Sequence, residues 1–363
     1  MVSKSRSKEI IDLGRHVMKQ RPTRSDVAAR AGVSKTTVTY VLGDNYNIAI
    51  PEPTRERVRK AAAELGYRPS AVARALVSGR TNSIAIAFPG GIGTHDTRVL
   101  RAFDRHANAH GCHMMASTIG HISFDNVLPD LWSVISGPND GVILVDMNEA
   151  FRPLVEQVLP AAKPIVSMGA FPAPQLDCVQ VDLEAGARAA IAHLLESNPA
   201  RVAVQGFWRS DDAEQLASGE SARPVDPRFL AYVRCMHDAG RPLEFIGLDY
   251  RNRREGIERF KEYVAANGCP DAIFCYNDEE GIIAHRALRE LGKRLPEDVL
   301  LIGCDGIEEC ESVEPQLSTI VQPIDLMCER AWDLLQARLS DPGRPLTHEL
   351  LPAELVIRRS SVR

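Results

Sequence analysis

From Asn82 to the end of the chain, short apolar runs alternate with stretches of helical period, and this alternation leaves few folds open. SIAIAF (83–88) precedes a helical pattern near 97–110, and HMMAS (113–117) precedes another near 124–136. GVILV, PIVSMG and CVQVD follow, then a helix near 184–196. RVAVQG, LEFIGL, AIFCYN and VLLIGCD alternate with helices near 226–239, 255–267 and 279–292. Apolar runs of this length between amphipathic helices predict parallel strands covered on both faces. The region spans about 280 residues, large for one sheet, so two α/β lobes are expected.

The N-terminal part follows a different rule. TRSDVAARAGVSKTTVTYVL (23–42) reads as two short helices joined at a glycine turn. Thr23 suits the cap of the first, with Asp26 reaching back, and Val27, Ala28 and Ala31 form its buried stripe. Gly32 is placed for the positive φ that ends that helix, and Ser34 for the cap of the next. In the second helix Val38, Val41 and Leu42 face inward, while Lys35, Thr36, Thr39 and Tyr40 are left outside. Two helices with a tight turn and a polar outer face on the second form the helix-turn-helix pattern. A third helix, TRERVRKAAAELGY, has Val58, Ala61, Ala62 and Leu65 inside and ends at Gly66. Arg55, Arg59 and Lys60 are expected outside, either free for phosphates or as a solvated face.

Charge separates the same two regions. Residues 1–80 hold sixteen Lys and Arg against seven Asp and Glu, a net of about +9, whereas the whole chain is −5. A basic head on an acidic body predicts a nucleic-acid binder with a second function.

Several chemistries lack an anchor. There is no Walker loop, no Gly-x-Ser-x-Gly and no zinc spacing, and GGIG (90–93) lacks the spacing of a dinucleotide site. An enzyme is therefore not expected, nor is any cofactor. The eight cysteines are scattered without a Cys-x-x-Cys pair and read as reduced core residues. His106, His110 and His113 have no acidic or thiol set around them and read as solvated or capping. No window approaches eighteen apolar residues and no apolar leader opens the chain, so a cytoplasmic protein with no membrane partner is expected.

DVAARAGVSKTTVTYVL followed by TRERVRKAAAELGYRPSAVARAL closely resembles the lactose/galactose repressor family of bacterial transcription regulators. VDLEAGARAAIAHLL (181–195), CYNDEEGIIAHRAL (275–288), VLLIGCDGIE (299–308) and STIVQP (318–323) resemble the family's periplasmic-binding-protein-like sensor domain. The resemblance implies a helix-turn-helix head and hinge helix joined to a two-lobed α/β domain with parallel sheets. The implied partition is a basic extension (1–21), a DNA-binding domain (22–68), a hinge helix and linker (69–80) and an effector-binding and dimerisation domain (81–363). Its first lobe is expected at about 82–181 and 323–350, its second at about 182–320 and 351–363.

The resemblance implies that the second helix enters the major groove, with Lys35, Thr36 and Tyr40 at base-reading positions. Tyr40 stands where relatives often carry Arg, and the guanine-reading fork goes with it. Leu76 matches the leucine wedged into the minor groove, with Ala73 and Arg74 on the same hinge helix. The expected DNA set is then Thr23, Ser34, Lys35, Thr36, Thr37, Thr39, Tyr40, Arg55, Ala73 and Leu76. Departures include Ser70 in place of Asn, a longer loop before Pro53, and Pro51 in place of a Ser cap. Residues 1–21 read equally as an arm on the DNA backbone or as a tail.

Ligands of parallel sheets bind at strand carboxyl ends, where Asn277 and Asp305 are expected, and Arg228 opens a helix of the same lobe. These three match family positions that hydrogen-bond a sugar or similar polar ligand, although capping, a strand-end turn or a surface charge would also account for them. Asp182 and Asp278 read as helix caps or loop ties. Gly169 stands where a lactose-type site has a carboxylate, Pro224 replaces a serine, and Tyr250 offers a stacking face one position out of register. With Pro89, the expected effector set is Pro89, Gly169, Arg228, Tyr250, Asn277 and Asp305. The RNRR run (251–254) reads as a helix start or as an anion contact. The expected function is a ligand-responsive regulator, in most relatives a repressor, that binds a palindromic operator in double-stranded DNA as a homodimer. The small-molecule effector is expected to be a sugar, sugar acid or sugar phosphate. The chain stops without a heptad tail, which points to a dimer rather than a tetramer. The competing readings are a sugar-binding transport component and an α/β enzyme with an accessory DNA-binding head.

Overall fold

The computed structural model describes residues 22–43, 48–68, 75, 79–120, 124–148, 150–159, 163–206, 226–248 and 252–363. Ser70, Ala73, Arg74, Leu76, Pro224, Tyr250 and the arm 1–21 lie outside these residues, as do most positions of the expected hinge helix. Two units separate at the boundary between Thr81 and Asn82.

In the first unit, α1 (Arg24–Ala31), α2 (Lys35–Leu42) and α3 (Glu52–Leu65) pack around Val27, Ala28, Ala31, Val38, Val41, Val58, Ala61 and Ala62. Leu42 and Leu65 are partly buried against this cluster. The local signals act as the residues dictate. Thr23 and Asp26 form a reciprocal capping box: Thr23 N–H donates to Asp26 Oδ2 at 2.7 Å and Asp26 N–H donates to Thr23 Oγ1 at 3.4 Å. Gly32 ends α1 at φ 66°, where a side chain would be strained. Ser34 Oγ accepts from Thr37 N–H at 3.0 Å and starts α2. Pro51 supplies no side-chain cap to α3, which begins two residues before the expected Thr54 with Pro53 in its first turn.

The second unit contains two six-stranded sheets. The first is built from β1 (Ser83–Pro89), β2 (His113–Ile119), β3 (Gly141–Val145), β4 (Ile165–Gly169), β5 (Asp177–Asp182) and β11 (His348–Pro352). Its order is β11-β5-β4-β3-β1-β2 and every pair is parallel. The second holds β6 (Val202–Gly206), β7 (Phe245–Gly247), β8 (Ala272–Cys275), β9 (Leu300–Asp305), β10 (Ser318–Val321) and β12 (Glu354–Val356). Its order is β12-β10-β9-β8-β6-β7, parallel except for the antiparallel β12. The connecting helices include α4 (Thr94–Ala109), α5 (Val127–Ser136), α6 (Arg152–Val158), α7 (Leu183–Glu196) and α8 (Pro227–Asp238). After them come α9 (Arg253–Asn267), α10 (Asp278–Glu290), α11 (Glu309–Ser312) and α12 (Ile324–Ser340).

The interior strands read as continuous apolar runs because both faces are covered; β3, β4, β6, β8 and β9 are buried throughout. Trp332, Tyr232, Phe88, Phe103, Phe229, Phe260 and Phe274 are the bulkiest anchors, each worth about 1.5–3 kcal/mol of burial. The chain crosses between the sheets three times: after β5, between β10 and α12, and at Ala353 between β11 and β12. LPAELVIRR (351–359) is apolar enough to read as one strand, but it divides at Ala353 between β11 and β12, which lie in different sheets. At the first edge, Asp177 is fully covered and binds Arg338 Nε at 2.8 Å and Thr347 N–H at 2.8 Å, which ties β5 to α12 and to the approach to β11.

Candidate nucleic-acid interface and ligand cleft

On α2 the capped start and the buried Val38–Val41 stripe fix which residues face outward. Lys35 and Thr36 are exposed and Tyr40 is half-buried. The other hydroxyls of the expected DNA set have local duties. Ser34 and Thr37 bond each other at 2.9 Å, Thr39 Oγ1 donates back to Lys35 O at 2.9 Å, and Thr23 belongs to the capping box. Arg55 corrects the sequence expectation. It is buried, with Nε donating to Ile50 O at 3.3 Å and Nη2 to Ile48 O at 3.1 Å. Its guanidinium holds the loop entering α3 and is not presented to a phosphate. Arg59 pairs with Glu52 at 3.3 Å, and Lys60 is exposed.

Within the second unit, the carboxyl ends of β1, β3, β8 and β9 converge on a cavity of about 380 Å³. Pro89, Asn277, Arg228 and Asp305 line it, as expected from the sequence. Their roles differ from that expectation. Asn277 Oδ1 caps α10 by accepting from Glu280 N–H at 2.8 Å, so the side chain both starts a helix and lines the cavity. Arg228 is buried and its fork is occupied: Nε and Nη2 grip Asp226 at 2.9 and 2.8 Å, and Nη1 donates to Tyr276 O at 3.0 Å. The guanidinium also lies 3.6 Å from the centre of the Tyr276 ring. It therefore enters the site with its charge already matched.

Gly169 is a further correction. It does not line the cavity; at φ 140° it leaves room for Asp146, whose Oδ1 would lie 2.1 Å from an added Cβ. Asp146 then accepts from Ala170 N–H at 2.8 Å and takes the place on the cavity wall itself. Asp182 caps α7, and Asp278 ties loops by accepting from Thr319 Oγ1 at 2.6 Å and Ile307 N–H at 2.9 Å.

The rest of the wall was not singled out in the sequence, and it includes His95, Asp96, Asn148, Phe171, Asp226 and Glu279. Asp146 ends a strand just as Asn277 and Asp305 do, so the same rule could have found it. His95 carried no comparable signal. Its ring reaches from α4 toward the second sheet, with Nδ1 3.8 Å from Asp305 Oδ1 and Nε2 4.0 Å from Asp146 Oδ2. Beside it, Arg98 Nη1 donates to Asp305 O at 2.8 Å, and Thr94 bonds Glu279 Oε1. Glu279 also meets Arg253 of the RNRR run at 3.1 Å, so that arginine serves an internal contact.

Burial pushes the Asp305 carboxyl up to about 6, against the pull of His95. Burial likewise raises Asp96, although the Gly93 N–H that it caps holds it back. Glu279 goes the other way: burial opposes its charge, but the Thr94 hydrogen bond and Arg253 hold it below the usual range. Among the described residues no group of His, Cys, Asp and Glu is arranged to hold a metal ion.

Two family models match this chain. Residues 23–70 match the bacterial regulatory proteins of the lacI family, and residues 191–361 match a periplasmic binding protein-like domain. The chain carries a lacI-family DNA-binding domain and a periplasmic-binding-protein-like domain. A similar relative is the HTH-type transcriptional repressor PurR of Vibrio vulnificus, 28% identical over 340 residues, covering 93% of this chain and 97% of that one. The HTH-type transcriptional regulator CelR of Thermobifida fusca is 28% identical over 358 residues, covering 94% and 99%. Among solved structures, a CelR–cellobiose complex aligns at TM-score 0.63 and 25% identity, covering 94% of this chain and all of that one. A lac repressor dimer bound to operator and the anti-inducer ONPF aligns at TM-score 0.75 and 21% identity over 95% of this chain and all of that one, a likeness of fold. With these two domains the protein is a DNA-binding transcriptional regulator with a helix-turn-helix head and a two-lobed, periplasmic-binding-protein-like body. No helix among the described residues is long and apolar enough to cross a membrane.

Proposed function

We propose that the protein is a repressor that binds a palindromic operator as a homodimer and releases or tightens on it when a small hydroxylated effector occupies the cleft. The observation that carries the DNA reading is α2 itself: a helix with its start capped and its inner stripe packed, presenting Lys35, Thr36 and Tyr40 outward. One such helix reads half of a twofold site, which is the reason for a dimer. Lys35 and Thr36 suit base edges and phosphates, while Tyr40 brings apolar contact and one hydroxyl where an arginine fork would read guanine. Leu76, with Ala73 beside it, is assigned by the family resemblance to the minor-groove wedge of a hinge helix.

For the effector, the cavity lies where strand carboxyl ends of both sheets meet, so a ligand there contacts both lobes and can favour one arrangement over another. Of sugar, sugar acid and sugar phosphate, the lining disfavours the two anionic classes. Its carboxylates accept from hydroxyls, and its one arginine is already paired.

The test is retention of genomic duplex fragments by the purified protein, followed by footprinting. Protection of a twofold-symmetric site, changed by one member of a sugar panel, is the expected result. Equal affinity for every duplex at moderate salt, with and without the panel, would rule the reading out.

A further inference from the structure

Five carboxylates line the cleft: Asp96, Asp146, Asp226, Glu279 and Asp305. Two have cationic partners, Asp226 in the Arg228 fork and Glu279 beside Arg253. Of the other three, Asp146 and Asp305 flank one imidazole and Asp96 accepts from Gly93 N–H at 2.8 Å. His95 lies 4.0 Å from Asp146 and 3.8 Å from Asp305, beyond hydrogen-bonding reach of either, and its buried Nδ1 has no hydrogen-bond partner among the described residues. Asp305 is more than nine-tenths buried. Its Oδ1 accepts from Gln322 Nε2 at 2.8 Å, and its other oxygen has no partner among the described residues. That oxygen opens onto the cavity, where a donor on a ligand can meet it.

We propose that the effector carries a protonated amine seated against Asp305, Asp146 and Asp96, and that it is a small hydroxylated amine of amino-sugar type. This rests on the cleft being the effector site. An ammonium group offers three N–H donors and no acceptor, which complements carboxylates that can only accept. Hydroxyls on the same ligand find Asn277, Asn148 and Gln322, and Phe171 gives an apolar face. A cavity of about 380 Å³ suits a monosaccharide-sized frame, at the low end of the roughly 300–1,000 Å³ seen for ligand sites. A sugar acid or phosphate would add negative charge where none is matched. Burial raises both Asp305 and Asp96, and a cation seated beside them would offset that cost.

The experiment uses the full chain and two readouts. Ligand-free Asp305→Asn is expected to melt several degrees above the parent at pH 7.5, because an unmatched charge has been removed, with the difference gone at pH 4.5. Glucosamine, galactosamine or mannosamine is expected to raise the melting temperature of the parent, with affinity falling at least tenfold in Asp305→Asn. N-acetylglucosamine keeps the frame and loses the charge, and is expected to bind at least tenfold more weakly than glucosamine. An Asp305→Asn variant no more stable than the parent at pH 7.5 overturns the proposal, as does binding of gluconate or glucose 6-phosphate. Glucose binding as tightly as glucosamine overturns it too. If one of those non-amine probes also shifts operator affinity, the effector reading of the cleft stands while the amine is lost.

Discussion

The His95 imidazole, carried by a helix of the first sheet, stops 3.8 Å short of the Asp305 carboxylate at the end of a strand in the second. The two side chains leave the His95 Nδ1 without a hydrogen-bond partner among the described residues. His95, Asp278, Arg228 and Gln322 act on Asp305 from different elements, and burial outweighs those that favour its charge.

The sign of the pH dependence follows. Asp305 holds its proton more tightly folded, at about 6, than an ordinary aspartate near 3.8. The stability it contributes is full below about pH 4 and is lost as pH rises through 6, on the order of 2–3 kcal/mol at most. A ligand-free melt should therefore weaken between pH 4 and 6.5 by more in the parent than in Asp305→Asn. Parallel curves would show that Asp305 does not carry the dependence.

Arg55 gives a contrast with Lys60. Arg55→Ala removes the tie to the Ile48 and Ile50 carbonyls and should destabilise the head by about 1–3 kcal/mol, read by amide exchange in α3. The salt dependence of operator binding should stay unchanged. Lys60→Ala should leave stability alone and lower the log–log salt slope by about 1 if Lys60 meets a phosphate.

Tyr40→Arg should restore a guanine-reading fork. Selection from random duplexes should then return operators that differ from the parent's at the outer positions, with about 1–3 kcal/mol of preference for G there. An unchanged consensus would place Tyr40 away from the base edges.

Ser34→Ala should cost about 1 kcal/mol through loss of the Thr37 N–H cap, visible as faster exchange at Thr37 and a weaker complex.

Arg338→Met leaves Asp177 buried without its cation and should cost about 3–5 kcal/mol in a urea melt of the body. The Asp177→Asn, Arg338→Met double variant should recover part of that loss.

What could be read in advance was local. The Thr23–Asp26 box, the Gly32 turn, the Ser34 cap and the strands from Ser83 to Asp305 each depend on residues within a few positions of one another. Arg55 misled because helical period places it beside solvent, whereas a loop several residues earlier folds back to take its donors. The local pattern at 351–359 is apolar enough for one strand, so a change of sheet near Ala353 is expected only from the family resemblance, which divides the lobes between 350 and 351. Half of the cleft was invisible for a similar reason. His95, Asp146 and Asp305 are more than fifty residues apart in pairs and meet only once both sheets exist. Arg228 was located correctly, but its partner Asp226, two positions away, was overlooked, and that carboxylate decides what the arginine can offer.

Three stretches of backbone join the two sheets, near Asp182, Gln322 and Ala353. A single tether would let the halves tumble through many poses. Three limit the relative positions that the sheets can take. A molecule held in the gap then has few arrangements to choose among.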